Sequence, residues 1–521
     1  MKLDADHPPM TTPVPEPALT DRAVWLPLAA CVILFLVLRF RWLGHLLVWD
    51  EAMALCTARA FDAGGNDPFA AWFWRHPPLH TLLLLVLQPL QAGFAERAEI
   101  LSIGVGAVNQ GLLFLLNRRV WGLAAGLWSA FIIALLPGSA LFDVWIKQDH
   151  LVATFGLLAL LALVSRRTLW CGVCLGLALL TKGTAVFYCL AVFALWLGGA
   201  CGRRTVKDFF LLTGLSALTC GWWYLGVLPR APGSGGGDAF QFALHAQSLW
   251  QSNWSFYFVQ LPVLLGWTGV VLAGAGAVWA VQAWVKDRAH EDRPAAWAVW
   301  PLTVLVPALV LISIVPNKVP WIVISLLPAW AALVALAVNE ATKWLGKISF
   351  PRAARRRPAL TTLTAACAVV LAGVLLTATT RDYEPMLRRV AESQWRGAAN
   401  SQEAAEILNR NVRDDDRVLL TSFYYWQGLP PGLPDPIFTY YLVKKPIVLL
   451  RSHQRLFGEV VADIREHHLD WALLSPEPGE AASVLFAGFE QVLSLPPQRT
   501  TGAWLFRTTE VHRRATSTAA Q

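Results

Sequence analysis

The chain has 521 residues, of which 55% are hydrophobic and only 15% charged, with a mean hydropathy of +0.46. Apolar runs long enough to cross ~30 Å of hydrocarbon recur through its first three quarters, which excludes an ordinary soluble protein and describes a polytopic membrane protein. The formal net charge of +8 does not point to nucleic acid, because most of the basic residues sit at the ends of apolar segments, where orientation in a membrane explains them.

Residues 1–22 are polar and Pro-rich and are expected to form a disordered cytoplasmic N-terminus. The apolar stretch from Ala23 has no small-residue cleavage site after it and reads as an uncleaved first span. Basic clusters follow at Arg118-Arg119, Arg166-Arg167, Arg203-Arg204 with Lys207, Lys286 with Arg288 and Arg293, and Arg352 with Arg355-Arg356-Arg357. Placing all five in the cytoplasm gives spans near 23–41, 98–117, 121–139, 150–165, 169–182, 184–200, 208–228, 259–285, 296–315, 319–338 and 359–379. That makes about 11 crossings. Leu79 to Leu90 is apolar but short, and counting it as a crossing would turn the later arginines outward. It is expected to be a buried helix that does not cross. The Cys171-Cys174 pair lies in an apolar run with no second pair and reads as packing.

The outer loops in this arrangement are 42–78, 140–149, 228–258 and the turn around Asn317-Lys318. The third combines a glycine-rich hinge with an aromatic segment, which reads either as a mobile lid or as a loop anchored by interfacial tryptophans. After Thr380 the composition becomes charged. Residues 381–513 are expected to form a small α/β domain outside the membrane, followed by a disordered tail, 514–521. Its expected elements are a helix over 385–411, strands at Arg417–Ser422 and Lys445–Leu450, a helix over 454–467, and strands at Asp470–Ser475 and Ala503–Arg507.

Unusual polar residues gather in the outer loops. Asp50-Glu51 is an acidic pair directly after the first span, and carboxylates at a membrane boundary read by default as functional. Arg75-His76 precedes a Pro-Pro pair that stiffens the entry to the short helix. Lys147-Gln148-Asp149-His150 lies between two spans, and Lys182 and Lys318 lie at segment ends. Simpler readings exist for each. The lysines can snorkel to the interface, Asp149 can cap the helix that follows, and Asp50-Glu51 can be N-terminal charges of a helix through Ala60. Together they suit transfer from a lipid-linked phosphate, in which Arg and Lys hold the phosphate and a carboxylate takes a proton from the incoming group. No Gly-rich phosphate loop is present, so a nucleotide donor is not indicated.

Trp49-Asp50-Glu51-Ala52, then His76-Pro77-Pro78-Leu79, Lys147-Gln148-Asp149-His150-Leu151, Thr181-Lys182-Gly183 and Lys318-Val319-Pro320 follow one another in an order that resembles the GT-C glycosyltransferases. Within that group the likeness is to the protein O-mannosyltransferases and lipid A aminoarabinose transferases. The resemblance covers about residues 23–340 and implies an all-α membrane domain of GT-C type over 23–380, with about 11–13 transmembrane helices and a small C-terminal periplasmic α/β domain. It implies an inverting transfer from a polyprenyl-phosphate sugar, such as an undecaprenyl-phosphate sugar, at the periplasmic face of a bacterial inner membrane. The acceptor would be lipid A, another glycan, a lipid or a protein.

Carried over by position, Asp50 would be the general base, Glu51 its support and Asp149 a second acidic residue. Lys182 and Lys318 would hold donor phosphate, as would Arg75, His76 and Lys147. The chain departs from the family at Arg75-His76, where relatives usually carry Lys, often after an acidic metal ligand. His76, His150 and His245 remain candidate ligands for a divalent metal ion. The chain departs again at Lys147-Gln148, where relatives commonly carry Arg-Pro, a change that bears on donor choice. A secondary transporter is the alternative from another class, but no inverted repeat of broken helices is visible. An O-antigen-ligase-like enzyme with a diphosphate donor would be expected to use arginines in a large outer loop, and 228–258 has only Arg230.

Overall fold

The computed structural model describes residues 22–45, 47, 49–61, 69, 76–88, 93–199, 206–227, 255–287, 295–314, 320–349, 370, 374, 402–413, 415–421, 436–442, 447–451, 466, 468–474, 489–495 and 509–514. Its helices are α1 (Arg22–Phe40), α2 (Trp49–Ala60), α3 (Leu79–Leu87), α4 (Phe94–Trp121), α5 (Leu123–Leu135), α6 (Pro137–Phe142), α7 (Asp149–Val164), α8 (Thr168–Thr181), α9 (Val186–Leu197), α10 (Val206–Gly221), α11 (Phe256–Asp287), α12 (Trp300–Ile314) and α13 (Leu327–Ser349). Among the described residues, five helical segments are long and apolar enough to cross a membrane: Phe94–Trp121, Val206–Val227, Phe256–Lys286, Ala296–Ile314 and Ile322–Trp344. The expected crossing at 359–379 lies outside the described residues.

Several expected spans are shorter than the sequence implied. The run read as 121–139 breaks at Leu136, which is extended, and Pro137 restarts the chain as the six-residue α6. Proline lacks an N–H and fits the first position of a new helix, not the middle of an old one. The stretch expected as an outer loop over 140–149 is instead almost wholly buried. The 16 residues of α7 rise about 24 Å. A helix of that length serves here because the irregular backbone before it is covered by protein and not by lipid.

α3 is nine residues long and reaches only about 13 Å. It buries His80, Thr81 and Leu84, as expected of a helix that does not cross. α13 is the helix the others surround, with 89% of its most apolar window buried, whereas the same measure is 17% for the span that contains α10. Close packing needs small residues: a Cβ on Gly276 of α11 would meet the Leu333 backbone of α13, and one on Gly156 of α7 the ring of Tyr188.

The alternation of helix direction sorts charges to two ends. Arg119 Nη1 donates to Ser165 Oγ at 2.8 Å, so the C-terminal ends of α4 and α7 meet with their arginines. The opposite ends bring the start of α7 to the end of α8. The arginine clusters and the Asp149–Lys182 pair thus lie at opposite ends of these helices.

Beyond the spans, α14 (402–411) packs Ala404, Ala405 and Leu408 against Val418 and Trp471 of a small sheet. The sheet has the order β2-β1-β3-β5-β4, from β1 (Arg417–Thr421), β2 (Ile447–Arg451), β3 (Trp471–Leu474), β4 (Phe489–Leu495) and β5 (Thr509–Arg514). β1 runs parallel to β2 and β3, and β5 antiparallel to β3 and β4. The first three strands stand where the sequence places them. β4 was not anticipated, and β5 occupies residues that read as the end of the domain and its tail. Its Glu510, His512, Arg513 and Arg514 hide the apolar alternation, so backbone pairing on both sides holds it in the sheet. The expected strand at 503–507 and nearly all of the helix at 454–467 lie outside the described residues. The short helix α15 (Pro436–Tyr441) docks on α2.

Candidate active site

α2 begins at Trp49, so Asp50 and Glu51 fall in its first turn, where carboxylates suit the positive end of the helix. The two point to different partners. Glu51 is fully buried; its Oε1 accepts the backbone N–H of Ile146 at 2.8 Å, and His45 Nε2 lies 3.1 Å from Oε2. The other face of His45 meets Glu99, with Nδ1 3.4 Å from Oε1, and Glu99 also accepts the N–H of Gly44 at 2.7 Å. Burial alone would lower the pKa of His45, but the charge of Glu51, its hydrogen bond and Glu99 outweigh burial and raise it to about 9.

Asp50 turns instead to Lys147, whose Nζ donates to its Oδ2. Burial works against the Asp50 carboxylate, yet Lys147 beside it, then Lys182 and His76, hold it below the usual carboxylate range. Lys182, at the end of α8, donates to Asp149 Oδ2 at 2.7 Å. Asp149 is fully buried, and its Oδ1 has no hydrogen-bond partner among the described residues. Although α7 starts at Asp149, its carboxylate does not cap that helix. Lys182 is paired and does not simply snorkel.

The segment 143–148 that carries Lys147 is irregular and buried, and it is clamped at two points. One is Glu51 on Ile146. The other is Arg39 of α1, fully buried, whose Nε and Nη2 donate to Asp143 Oδ2 at 3.1 and 3.0 Å. The same guanidinium reaches Ser139 Oγ at 2.7 Å and the carbonyls of Ile133 and Ala134 at 3.1 and 2.5 Å. It thereby saturates carbonyls freed where α5 ends before Pro137. His150 Nδ1 lies 3.5 Å from Asp143 Oδ1, and its Nε2 donates to the carbonyl of Phe142 at 2.7 Å. The planar fork of Arg39 suits this arrangement because it fixes several acceptors at once.

The structure thus brings together Asp50, Lys147, Asp149 and Lys182 as two acid–base pairs, with the charge of His76 reaching Asp50. Arg75, Lys318 and His245 lie outside the described residues, as does most of 228–258. His150 does not fit as a metal ligand, because both ring nitrogens face Phe142 and Asp143. Among the described residues no three ligating side chains come together. Four groups were missed by the sequence reading. Arg39 looked like an ordinary positive residue at a span end, and Asp143 like the edge of a loop. His45 and Glu99 sit in otherwise unremarkable positions, and only their convergence with Glu51 gives them meaning. Cys171 is buried and Cys174 partly so, and neither is in a disulfide.

No protein-family model matches the sequence, and no curated relative matches it. Solved structures do. The chain is similar to ArnT from Cupriavidus metallidurans bound to undecaprenyl phosphate, with 18% identity and a TM-score of 0.56 over 94% of this chain and 98% of that one. The apo state of the same protein aligns with 15% identity and a TM-score of 0.55 over 94% and 97%. An apo oligosaccharyltransferase from Archaeoglobus fulgidus aligns with 11% identity and a TM-score of 0.52 over 88% and 70%. At such identities the likeness concerns architecture, and the architecture common to these membrane proteins, an all-helical domain followed by a smaller α/β domain in this chain, is the GT-C fold.

Proposed function

We propose that the chain is an inverting glycosyltransferase that moves a sugar from a polyprenyl-phosphate carrier to an envelope acceptor, at the periplasmic face of a bacterial inner membrane. The observation that carries this reading is the pair of lysine–carboxylate contacts at one end of the helices, Lys147 on Asp50 and Lys182 on Asp149. They combine a carboxylate kept ionised with two cations able to receive a phosphate. The fold supports the donor class, since one protein that shares it was solved with undecaprenyl phosphate bound.

In this mechanism the acceptor's oxygen or nitrogen attacks the anomeric carbon while Asp50 takes its proton. The bond from that carbon to the phosphate oxygen breaks, and its electron pair leaves with polyprenyl phosphate. One displacement inverts the centre. Lys147 and Lys182 stabilise the departing anion, with Arg75, His76 and Lys318 as further expected contacts. Glu51 acts at one remove, holding the Ile146–Lys147 backbone against α2. The paired state places each cation beside a carboxylate until a phosphate draws it away. In the expected topology the C-terminal domain is periplasmic.

The test is mass spectrometry of lipids, glycans and envelope proteins from cells carrying wild type, Asp50→Asn or no copy of the gene. We expect one acceptor to lose a sugar in both altered strains while a polyprenyl-phosphate sugar accumulates. Turnover should fall at least about a hundredfold in Asp50→Asn, the usual scale for a general base. Turnover within a few fold of wild type would remove Asp50 from the role.

A further inference from the structure

The first turn of α3 carries a side chain that the mechanism above does not use. His80 is only 4% exposed, and its Nδ1 has no hydrogen-bond partner among the described residues. Buried polar atoms are nearly always bonded, so a ring nitrogen left open beside Lys147 and Lys182 calls for a partner. α3 is stiffened at its start by Pro77-Pro78, and Leu79 packs against Leu180 and Trp223. That contact sets the start of α3 beside the end of α8, which leads to Lys182.

Burial, and then the neighbouring His150, Lys147 and Lys182, push the pKa of His80 down to about 3. The imidazole is therefore uncharged and carries one N–H and one lone pair. A ligand drawn to Lys147 and Lys182 is an anion, and an anion's oxygens accept hydrogen bonds without giving them. The imidazole must then present its N–H. Its place at the positive end of α3 favours the same ligand.

We infer that His80 binds the substrate directly, giving a hydrogen bond from its ring to a phosphate oxygen of the lipid-linked donor received by Lys147 and Lys182. This rests on the donor class proposed above. It separates two tasks: the lysines supply charge, and His80 supplies direction, since a compact ammonium holds an anion as a point charge whereas a ring N–H fixes one oxygen.

The experiment measures binding of undecaprenyl phosphate, undecaprenol and inorganic phosphate to the full-length protein in nanodiscs. The proteins are wild type, His80→Leu, His80→Asn and Lys182→Met. Asn keeps an N–H near the position of Nδ1; Leu does not, and Met replaces Leu if the Leu variant does not fold. We expect His80→Leu to weaken undecaprenyl phosphate about tenfold, the scale of a hydrogen bond to a charged group, and to leave undecaprenol unchanged. Inorganic phosphate should weaken by the same factor, and Asn should restore binding to within about threefold of wild type.

Equal binding of undecaprenyl phosphate by wild type and His80→Leu would overturn the inference. So would equal losses of phosphate and alcohol, which would make His80 a packing residue, or an Asn variant as weak as Leu. The underlying reading fails separately. If wild type does not prefer the phosphate to the alcohol, the donor class is wrong. If Lys182→Met weakens the phosphate and His80→Leu does not, only the role of His80 is lost.

Discussion

Asp50 and Glu51 are chemically alike neighbours on one helical turn, and their surroundings give them opposite work. Asp50 is partly open and paired with Lys147; Glu51 is sealed and holds backbone. Because Lys147 keeps the Asp50 carboxyl low, activity should persist into mildly acidic solution. Lys147→Met should move the acid limb of the pH–rate profile to higher pH, since the carboxyl would then bind its proton more readily. An unmoved limb in that variant would mean that another group titrates. His45 supplies a prediction about stability. It holds a proton up to about pH 9 in the fold, against an ordinary value of 6.5. Its contribution is present in full below pH 6.5 and is lost as pH rises through 9. Melting temperatures of wild type and His45→Gln should therefore differ most at pH 6 and converge by about pH 10.

At the scale of elements, the buried turn between α6 and α7 is what the site is built on, and Arg39 with Asp143 is its fastening. Arg39→Met takes the guanidinium away from the buried Asp143 carboxyl, and should cost about 3–5 kcal/mol in unfolding free energy. Replacing both by apolar residues of similar size should recover part of that loss, because the desolvation of two charges disappears together. A double variant as unstable as Arg39→Met would mean that the carbonyls of Ile133 and Ala134, not Asp143, depend on the guanidinium.

This turn also shows where the sequence was readable. Asp50, Lys147, Asp149 and Lys182 could be chosen singly, because charged residues beside apolar runs are costly and draw notice. Their pairing could not, because it depends on how α7 and α8 return to the same end. Arg39 was overlooked for the opposite reason: a positive residue at the end of a span is ordinary, and only a partner 104 residues away makes it structural. β5 was hidden by its charges, whereas β1 to β3 announce themselves by apolar runs between polar segments.

For the whole molecule, the notable contact is between α15 and α2. Arg59 Nη1 donates to the carbonyl of Tyr440 at 2.9 Å, and its guanidinium stands 4.1 Å from the centre of the Tyr440 ring. Tyr440 is buried in one cluster with Leu47, Met53, Phe94 and Ile146, and Asn409 reaches the carbonyl of Tyr441 at 2.8 Å. These tyrosines are packing at this junction. Arg59→Ala should remove about 1–2 kcal/mol from the junction. Limited proteolysis should then release the C-terminal part several-fold faster while the melting of the membrane helices stays unchanged; equal release rates would show that Arg59 is dispensable there.

The long sequence distances across the site have a consequence for how the chain is made. Asp50 and Lys147 are 97 residues apart, Glu51 and Ile146 95, and Arg39 and Asp143 104. At about 5–20 residues per second, the first helix and the acidic pair wait about 5–20 s after synthesis for these distant partners. During that interval Arg39, in the last turn of α1, lacks the carboxylate that it meets in the finished fold. The site is therefore completed late, once the segment around residue 143 has been made.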